Sequence, residues 1–309
     1  MGHFFSLLSQ QLFPHKTTFT AEQIPDLTGR VVIVTGGNSG LGKEVIKALL
    51  NRNAKVYMAA RSKGKAEEAI KELKEATGKD AHFLALDLSS LASVRRAAEE
   101  FRIEETELHI LYNNAGLMNT PMDDLTSTGF DLQYGTNVLG HFLFTELLLP
   151  ALAAGAQSSP DHHSRIVATS SAGAHMATVD FDSLKDGPAR RKLSPELLYW
   201  QSKFLNAIVA REAAKRYADK SILSFSVDPG SVRTDIMRHE GAFMKKMSDT
   251  LFVSPAKGAL SQPWIGTVPE AVQYNGEYIV PWAHVGKCRA ELYDNALAER
   301  VWNTVLEDQ

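Results

Sequence analysis

Residues 30–53, "RVVIVTGGNSGLGKEVIKALLNRN", constrain the fold of this chain more than any other stretch. An unbroken apolar run closed by glycines is the pattern of a strand buried on both faces, as in a parallel sheet. It passes directly into a helical pattern with Leu41, Val45, Ala48 and Leu49 on one stripe. Between the two, Gly36, Gly40 and Gly42 follow a G-x-x-x-G-x-G spacing. Glycine permits torsions and close approaches that a Cβ forbids, and a helix N-terminus presents N–H donors to an anion. At the start of a βαβ unit this predicts a dinucleotide pyrophosphate resting on Gly36, Asn38, Ser39, Gly40, Leu41 and Gly42.

The β–α alternation continues down the chain. "KVYMAAR" (55–61), "AHFLALDL" (81–88), "LHILYNNAG" (108–116), "RIVATSSAG" (165–173), "SILSFSVDPG" (221–230) and "GEYIVPWA" (276–283) read as further strands. Helical patterns occupy 65–78, ending at Gly78, and 90–101, with Ser89 or Ser90 to cap it. Two longer ones lie at roughly 131–152 and 199–217. The expectation is an α/β fold, a Rossmann-type doubly wound and mostly parallel sheet with helices on both faces in three αβα layers. It spans 29–309 as a single domain after an N-terminal extension at 1–28. Segments 176–198 and about 236–275 exceed the ~12–15 residues usual for a plain connection, so both are candidate substrate loops.

Charge and cysteine count narrow the partners. A net charge of −3 gives no electrostatic reason to expect nucleic acid. Cys288 stands alone, which removes a disulfide framework and a Cys-based zinc site and fits a reducing, cytoplasmic setting. His162 and His163 in "PDHHSR" read as solvated, so no metal is expected. No apolar run reaches the ~18 residues of a membrane span. The leading "MGHFFSLLSQQLF" lacks the basic region and cleavage site of a secretory signal. Gly2 and Ser6 match the myristoylation pattern, which would give weak membrane association. The alternative is a docking arm carrying Phe4, Phe5, Leu7, Leu8, Leu12 and Phe13.

The second strand ends where such folds address the adenosine ribose. A carboxylate there accepts from both ribose hydroxyls and repels a 2′-phosphate. This chain has Arg61 followed by Lys63 instead. A guanidinium binds phosphate bidentately and stacks on adenine, so NADP(H) is expected in preference to NAD(H).

Seven short motifs now stand in order: T-G-x-x-x-G-x-G at 35–42, "LDL" at 86–88, "NNAG" at 113–116, "TNVLGHF" at 136–142, "SS" at 170–171, Y-x-x-x-K at 199–203 and "PGSVRT" at 229–234. Together they make the chain resemble the short-chain dehydrogenase/reductase family over roughly 29–235. The glycine spacing is that of its single-domain branch. "AARSKGKAEEA" and the long segment before the tyrosine look like the retinol dehydrogenase-like reductases and their fungal relatives. The resemblance implies that Asp87 and the Leu88 backbone contact adenine, and that Asn114, Ala115 and Gly116 line its ribose. It further implies that Pro229, Gly230, Val232 and Thr234 hold the nicotinamide carboxamide.

Reducing a carbonyl requires a hydride on carbon and a proton on oxygen. Tyrosine, at pKa ~10, is a poor acid–base group near neutrality. A lysine ammonium about 4 Å away would favour the phenolate by roughly 4 kcal/mol at an effective dielectric near 20. Tyr199 is therefore the expected acid–base, tuned by Lys203, which also addresses the nicotinamide ribose. By the resemblance, Ser171 rather than Ser170 holds the substrate oxygen, and Asn137 holds a water leading from Lys203 to solvent. Ser171 and Tyr199 are 28 positions apart, about twice the spacing in many relatives, which places an insertion at 176–198. A carbonyl or alcohol is the expected substrate; 241–252 reads equally as an apolar lid, which would favour a lipophilic one, or as a packed helix. The alternative is a non-catalytic cofactor-sensing or scaffold protein. Monomer and homodimer, the latter through 131–152 and 199–217, both remain open.

Overall fold

The structure, a computed structural model, describes residues 17–232 and 252–309. Gly2, Thr234 and most of the candidate lid at 241–252 therefore lie outside the described residues. Eight strands form one sheet in the order β3-β2-β1-β4-β5-β6-β7-β8. They are β1 (Val31–Thr35), β2 (Lys55–Ala60), β3 (His82–Ala85), β4 (Ile110–Asn113), β5 (Ser164–Thr169), β6 (Ile222–Val227), β7 (Tyr278–Val280) and β8 (His284–Gly286). Every neighbouring pair is parallel except β7 with β8. The last strand was not anticipated. Three residues after "PWA" carry too little pattern to announce it, yet Ile279 pairs with Val285 and closes the edge as a hairpin.

All of β1 is buried, and its side chains alternate between two cores. Val31 and Ile33 face one, Val32 and Val34 the other, which makes the sheet the middle of three layers. Helices α1 (Gly40–Leu50) and α2 (Lys63–Thr77) cover the second core. The stripe that α1 buries is Val45, Ile46, Leu49 and Leu50; Leu41 and Ala48 are only partly covered. Helices α3 (Leu91–Glu104) and α4 (Leu132–Ser158) cover the first core. Ser90 is the cap of α3, accepting from the Ser93 N–H, while Gly78 ends α2 in the left-handed conformation (φ 73°).

Helix α4 corrects one expectation. By length and composition it could cross a bilayer, contrary to the sequence reading. In the fold it is a core helix, with 67% of its most apolar window buried. A single π turn, Gly135–Leu139, interrupts it where Asn137 sits.

The two long segments are structured. Within 176–198 lie a 3-10 turn at Phe181–Ser183 and a short helix α5 (Pro188–Arg191). Arg190 on α5, 1% exposed, bonds Asp131 at 2.9 Å and the Met122 carbonyl at 2.7 Å. Asp131 in turn caps α4 by accepting from Gln133 and Tyr134 N–H. Helix α6 (Pro195–Arg216) begins four residues before Tyr199, since Ser194 caps it and Pro195 suits its first position. From 252 to 275 the chain forms α7 (Pro255–Ala259), α8 (Ser261–Thr267) and a 3-10 turn rather than a loop. The C-terminal α9 (Asn295–Glu307) lays Trp302 against Phe142 of α4 and Tyr217, the residue that follows α6.

Candidate active site

The C-terminal ends of β1, β2, β3 and β4 open onto a cavity of about 660 Å³ at the point where strand order reverses. Its floor is the glycine turn. Gly36 has a left-handed φ of 65°, and a Cβ there would press on Ala115 at 3.0 Å. At Gly42 a Cβ would stand 2.5 Å from the Gly36 carbonyl and 2.6 Å from Asn114 Nδ2. Side chains at these positions would collide with Ala115, Asn114 and the turn's own backbone. Ser39 precedes α1 without a side-chain cap, and no acidic residue occupies the first turn, so the helix start favours an anion.

Gly36, Asn38, Ser39, Gly40, Leu41, Gly42, Arg61, Asp87, Leu88, Asn114, Ala115 and Gly116 all line this cavity. Asp87 also organises its own turn, accepting from Ser89 N–H and Oγ–H. Lys63 is not part of the lining. It stands on the outer side of α2, its Nζ 3.8 Å from Glu67, and Lys65 joins Arg61 and Ser62 at the cavity instead. Glu72, paired with Lys43, sits at the same end.

The strand ends are knitted together by one hydroxyl. Thr35 Oγ1 accepts from the N–H groups of Asn114 and Ala115, both at 2.9 Å. Asn114 Nδ2 donates to the Thr35 carbonyl, and its Oδ1 accepts from Gln262 on α8 at 3.1 Å. Thr35 and Gln262 were not anticipated as contributors.

Beyond Gly116 stand the four residues expected to do chemistry. A Cβ on Gly116 would lie 3.3 Å from both Asn137 Oδ1 and Lys203 Nζ, so this glycine leaves room where α4 and α6 converge. Asn137 is fully buried. Its Oδ1 accepts from Leu117 N–H at 2.8 Å, while Nδ2 donates to the Leu117 carbonyl and to Ser202 Oγ. π turns commonly mark functional positions, since they release a backbone carbonyl from the helical ladder. Ser171 Oγ accepts from Gly173 N–H at 3.1 Å. Ser170 instead donates to the Lys203 carbonyl and braces α6, which separates the roles of the two serines.

Tyr199 and Lys203 share the site, but not with the electrostatics expected from their spacing. Burial pushes the Tyr199 phenol up to about 12, against a hydrogen bond from Ser171 that lowers it; the Asp228 charge adds to the rise. Burial also pulls the Lys203 ammonium down to about 8. Lys203 Nζ lies 5.8 Å from the centroid of the Tyr199 ring and donates to the Thr169 carbonyl at 2.9 Å. Desolvation of both groups outweighs the attraction anticipated at 4 Å.

Pro229 and Gly230 follow β6, with Gly230 (φ 78°) donating its N–H to Asp228 Oδ1 at 2.9 Å. Val232 bridges to Val253 and packs against Gly258. None of the three lines the cavity. Among the described residues, no group of three or more His, Cys, Asp or Glu side chains could hold a metal ion.

The lining fits a dinucleotide: a glycine cradle, an uncapped helix start and an end carrying Arg61 and Lys65; Asn137, Ser171, Tyr199 and Lys203 are not part of it, and Asn137 and Lys203 adjoin it at Gly116. Comparison with known proteins agrees. The family model described as short chain dehydrogenase matches residues 30–182. A short-chain dehydrogenase/reductase of Armillaria gallica is 54% identical over 302 residues, covering 98% of this chain and 97% of the relative. Retinol dehydrogenase 11 of Homo sapiens is 36% identical over 281 residues, covering 90% and 85%. The crystal structure of an uncharacterised Mycobacterium paratuberculosis protein superposes with a TM-score of 0.73 at 28% identity, covering 94% and 97%.

Proposed function

Because the chain belongs to the short-chain dehydrogenase/reductase family, whose members are nicotinamide-dependent oxidoreductases, we propose that it interconverts an alcohol with an aldehyde or ketone, using NADP(H) in preference to NAD(H). The observation that carries this reading is a cluster next to the glycine-floored cavity: Asn137 and Lys203 adjoin its lining residue Gly116, Tyr199 lies next to Lys203, and Ser171 is hydrogen-bonded to Tyr199. A scaffold protein has no physical need for all four.

A nicotinamide dinucleotide bound in this cavity supplies or takes the hydride. Gly36 to Gly42 hold its pyrophosphate, and Arg61, Ser62 and Lys65 hold the 2′-phosphate by charge-assisted hydrogen bonds. Lys203 orients the ribose near Gly116. The Ser171 hydroxyl donates to the substrate oxygen and stabilises charge as it develops there. Tyr199, protonated at neutral pH because burial holds its phenol high, gives its proton to that oxygen in reduction and recovers it in oxidation. The substrate is a lipophilic carbonyl, in keeping with similarity to a retinol dehydrogenase. Gly2, if acylated, would bring the chain to a membrane surface; otherwise it works in the cytoplasm.

Steady-state reduction of a panel of aliphatic, aromatic and retinoid aldehydes and ketones, with NADPH and NADH compared, tests this reading. Turnover with NADPH at a kcat/KM at least about tenfold above that with NADH supports it. No turnover of any carbonyl, with cofactor binding intact, would favour the cofactor-sensing alternative.

A further inference from the structure

We propose that His141 is a positioning residue: held as the neutral Nδ1–H tautomer, it ties the π turn carrying Asn137 to Thr35 at the edge of the glycine turn. The hydrogen bonds leave no other assignment that satisfies every partner. His141 Nδ1 lies 3.0 Å from the Asn137 carbonyl, which can only accept, so Nδ1 carries the proton. Nε2, 2.8 Å from Thr35 Oγ1, is then an acceptor. Thr35 Oγ1 already accepts from the N–H groups of Asn114 and Ala115, so its single proton points at Nε2. The other acceptor within reach of that hydroxyl, the Tyr112 carbonyl, is farther at 3.3 Å. The reverse tautomer would set a ring lone pair against the Asn137 carbonyl.

A continuous chain results: Ala115 and Asn114 N–H to Thr35, Thr35 to His141, His141 to Asn137. It joins the ends of β1 and β4 to α4, the elements that frame the proposed cofactor and proton sites. The charge state is protected. Burial pulls the imidazole down to about 4; the bond to the Asn137 carbonyl opposes this, and the Lys203 ammonium reinforces it. The Lys203 ammonium acts on the ring from α6; Asn206 on α6, Tyr217 just beyond it, Asn113 on β4 and Thr145 on the ring's own helix line the same small cavity. Of these, only Lys203 is charged at neutral pH. The ring therefore stays neutral through the range in which an ordinary histidine titrates. Fixing the Asn137 peptide fixes its side chain, which spans Leu117 and Ser202 next to Lys203.

The catalytic consequence rests on the oxidoreductase reading, but the tautomer can be measured without turnover. The full chain labelled with ¹⁵N-histidine is followed by NMR from about pH 5.5 to about 8.5, where free histidine titrates. The His141 resonances are identified by their loss in His141→Asn. We expect a protonated Nδ1 and an unprotonated Nε2 that do not change with pH. An Nε2–H tautomer, or titration near 6.5, overturns the proposal.

Kinetics give a second readout. His141→Asn keeps a donor at the Nδ1 position, whereas His141→Leu keeps the volume without it. Reduction should slow about 100-fold in kcat for the leucine variant, with the NADPH Kd within about threefold, and recover to within about tenfold for asparagine. Wild-type kcat in the leucine variant overturns the proposal. Should that variant not fold, the wild-type tautomer decides. An inactive wild type showing the expected tautomer would count against the oxidoreductase reading alone.

Discussion

Replacing Lys203 by methionine should make the protein more stable while destroying its proposed activity. Lys203 is 2% exposed. Burial lowers its ammonium from 10.5 to about 8, so at pH 7 the fold carries a charge it would hold more cheaply in water. At about 1.4 kcal/mol per pH unit, that gap costs the folded state about 3 kcal/mol. The sign follows from the protons bound. Below 8 both states hold the proton and the penalty is complete. Between about 8 and 10.5 the unfolded chain binds more, so stability rises with pH, and above 10.5 the penalty is gone. Methionine has similar volume and no charge, and the Thr169 carbonyl that Lys203 leaves still accepts from Asn206 at 3.3 Å. An unfolding entropy of ~2.1 cal/mol/K per residue over this chain implies about 0.65 kcal/mol per degree, so Tm should rise by about 5 °C. Thermal unfolding by circular dichroism at pH 7, without cofactor, measures it. The variant's advantage over the wild type should also shrink as pH rises from 8 to 10.5, a difference from which the protein's other titrations cancel. A Tm lowered by several degrees, with no such change in the difference, would refute the reasoning: the ammonium would then be contributing to stability rather than kept for chemistry.

Other outcomes follow from the same contacts. Arg190→Met leaves Asp131 buried without its cationic partner and should cost about 3–5 kcal/mol; Arg191→Met, whose partner Asp186 is a surface contact, should cost under about 1 kcal/mol. Denaturant titration of both variants checks this, and equal losses would contradict it. Arg61→Ala combined with Lys65→Ala should raise the KM for NADPH at least about tenfold and leave that for NADH within about threefold. A parallel rise for both cofactors would remove the 2′-phosphate assignment. His141, held near 4 by burial, and His109, shifted the same way, are stabilising when neutral. As pH falls from about 6.5 to about 4, the unfolded chain takes up protons that the folded chain refuses, and about 3 kcal/mol should be lost from His141 alone. Stability unchanged between pH 7 and 4.5 would contradict both burials.

Much of the fold could be read from the chain because its strands are short, apolar and closed by glycines. Val31 to Thr35 announce a strand buried on both faces, and Gly36, Gly40 and Gly42 announce the crevice above it. What could not be read depends on rotation, desolvation or pairing across the fold. Whether Lys63 or Lys65 meets the cavity turns on where α2 begins: once Lys63 is its first residue, the helical step sends it towards Glu67. The four-residue spacing of Tyr199 and Lys203 places them on one face of a helix, but their charge balance is set by how completely the surroundings exclude water. His284–Gly286 becomes a strand only through its pairing with β7. Thr35 and His141 look like a strand end and a helix residue in an apolar run; only the fold brings their side chains within 2.8 Å.

The central claim is that the phenol at 199 passes the proton while the rest of the crevice holds the cofactor. Removing one oxygen atom isolates that step. In Tyr199→Phe, NADPH should bind with a Kd close to wild type by fluorescence titration, while carbonyl reduction under saturating cofactor falls by at least about 100-fold. A variant that binds NADPH and still reduces carbonyls within a few-fold of the wild-type rate would contradict the account.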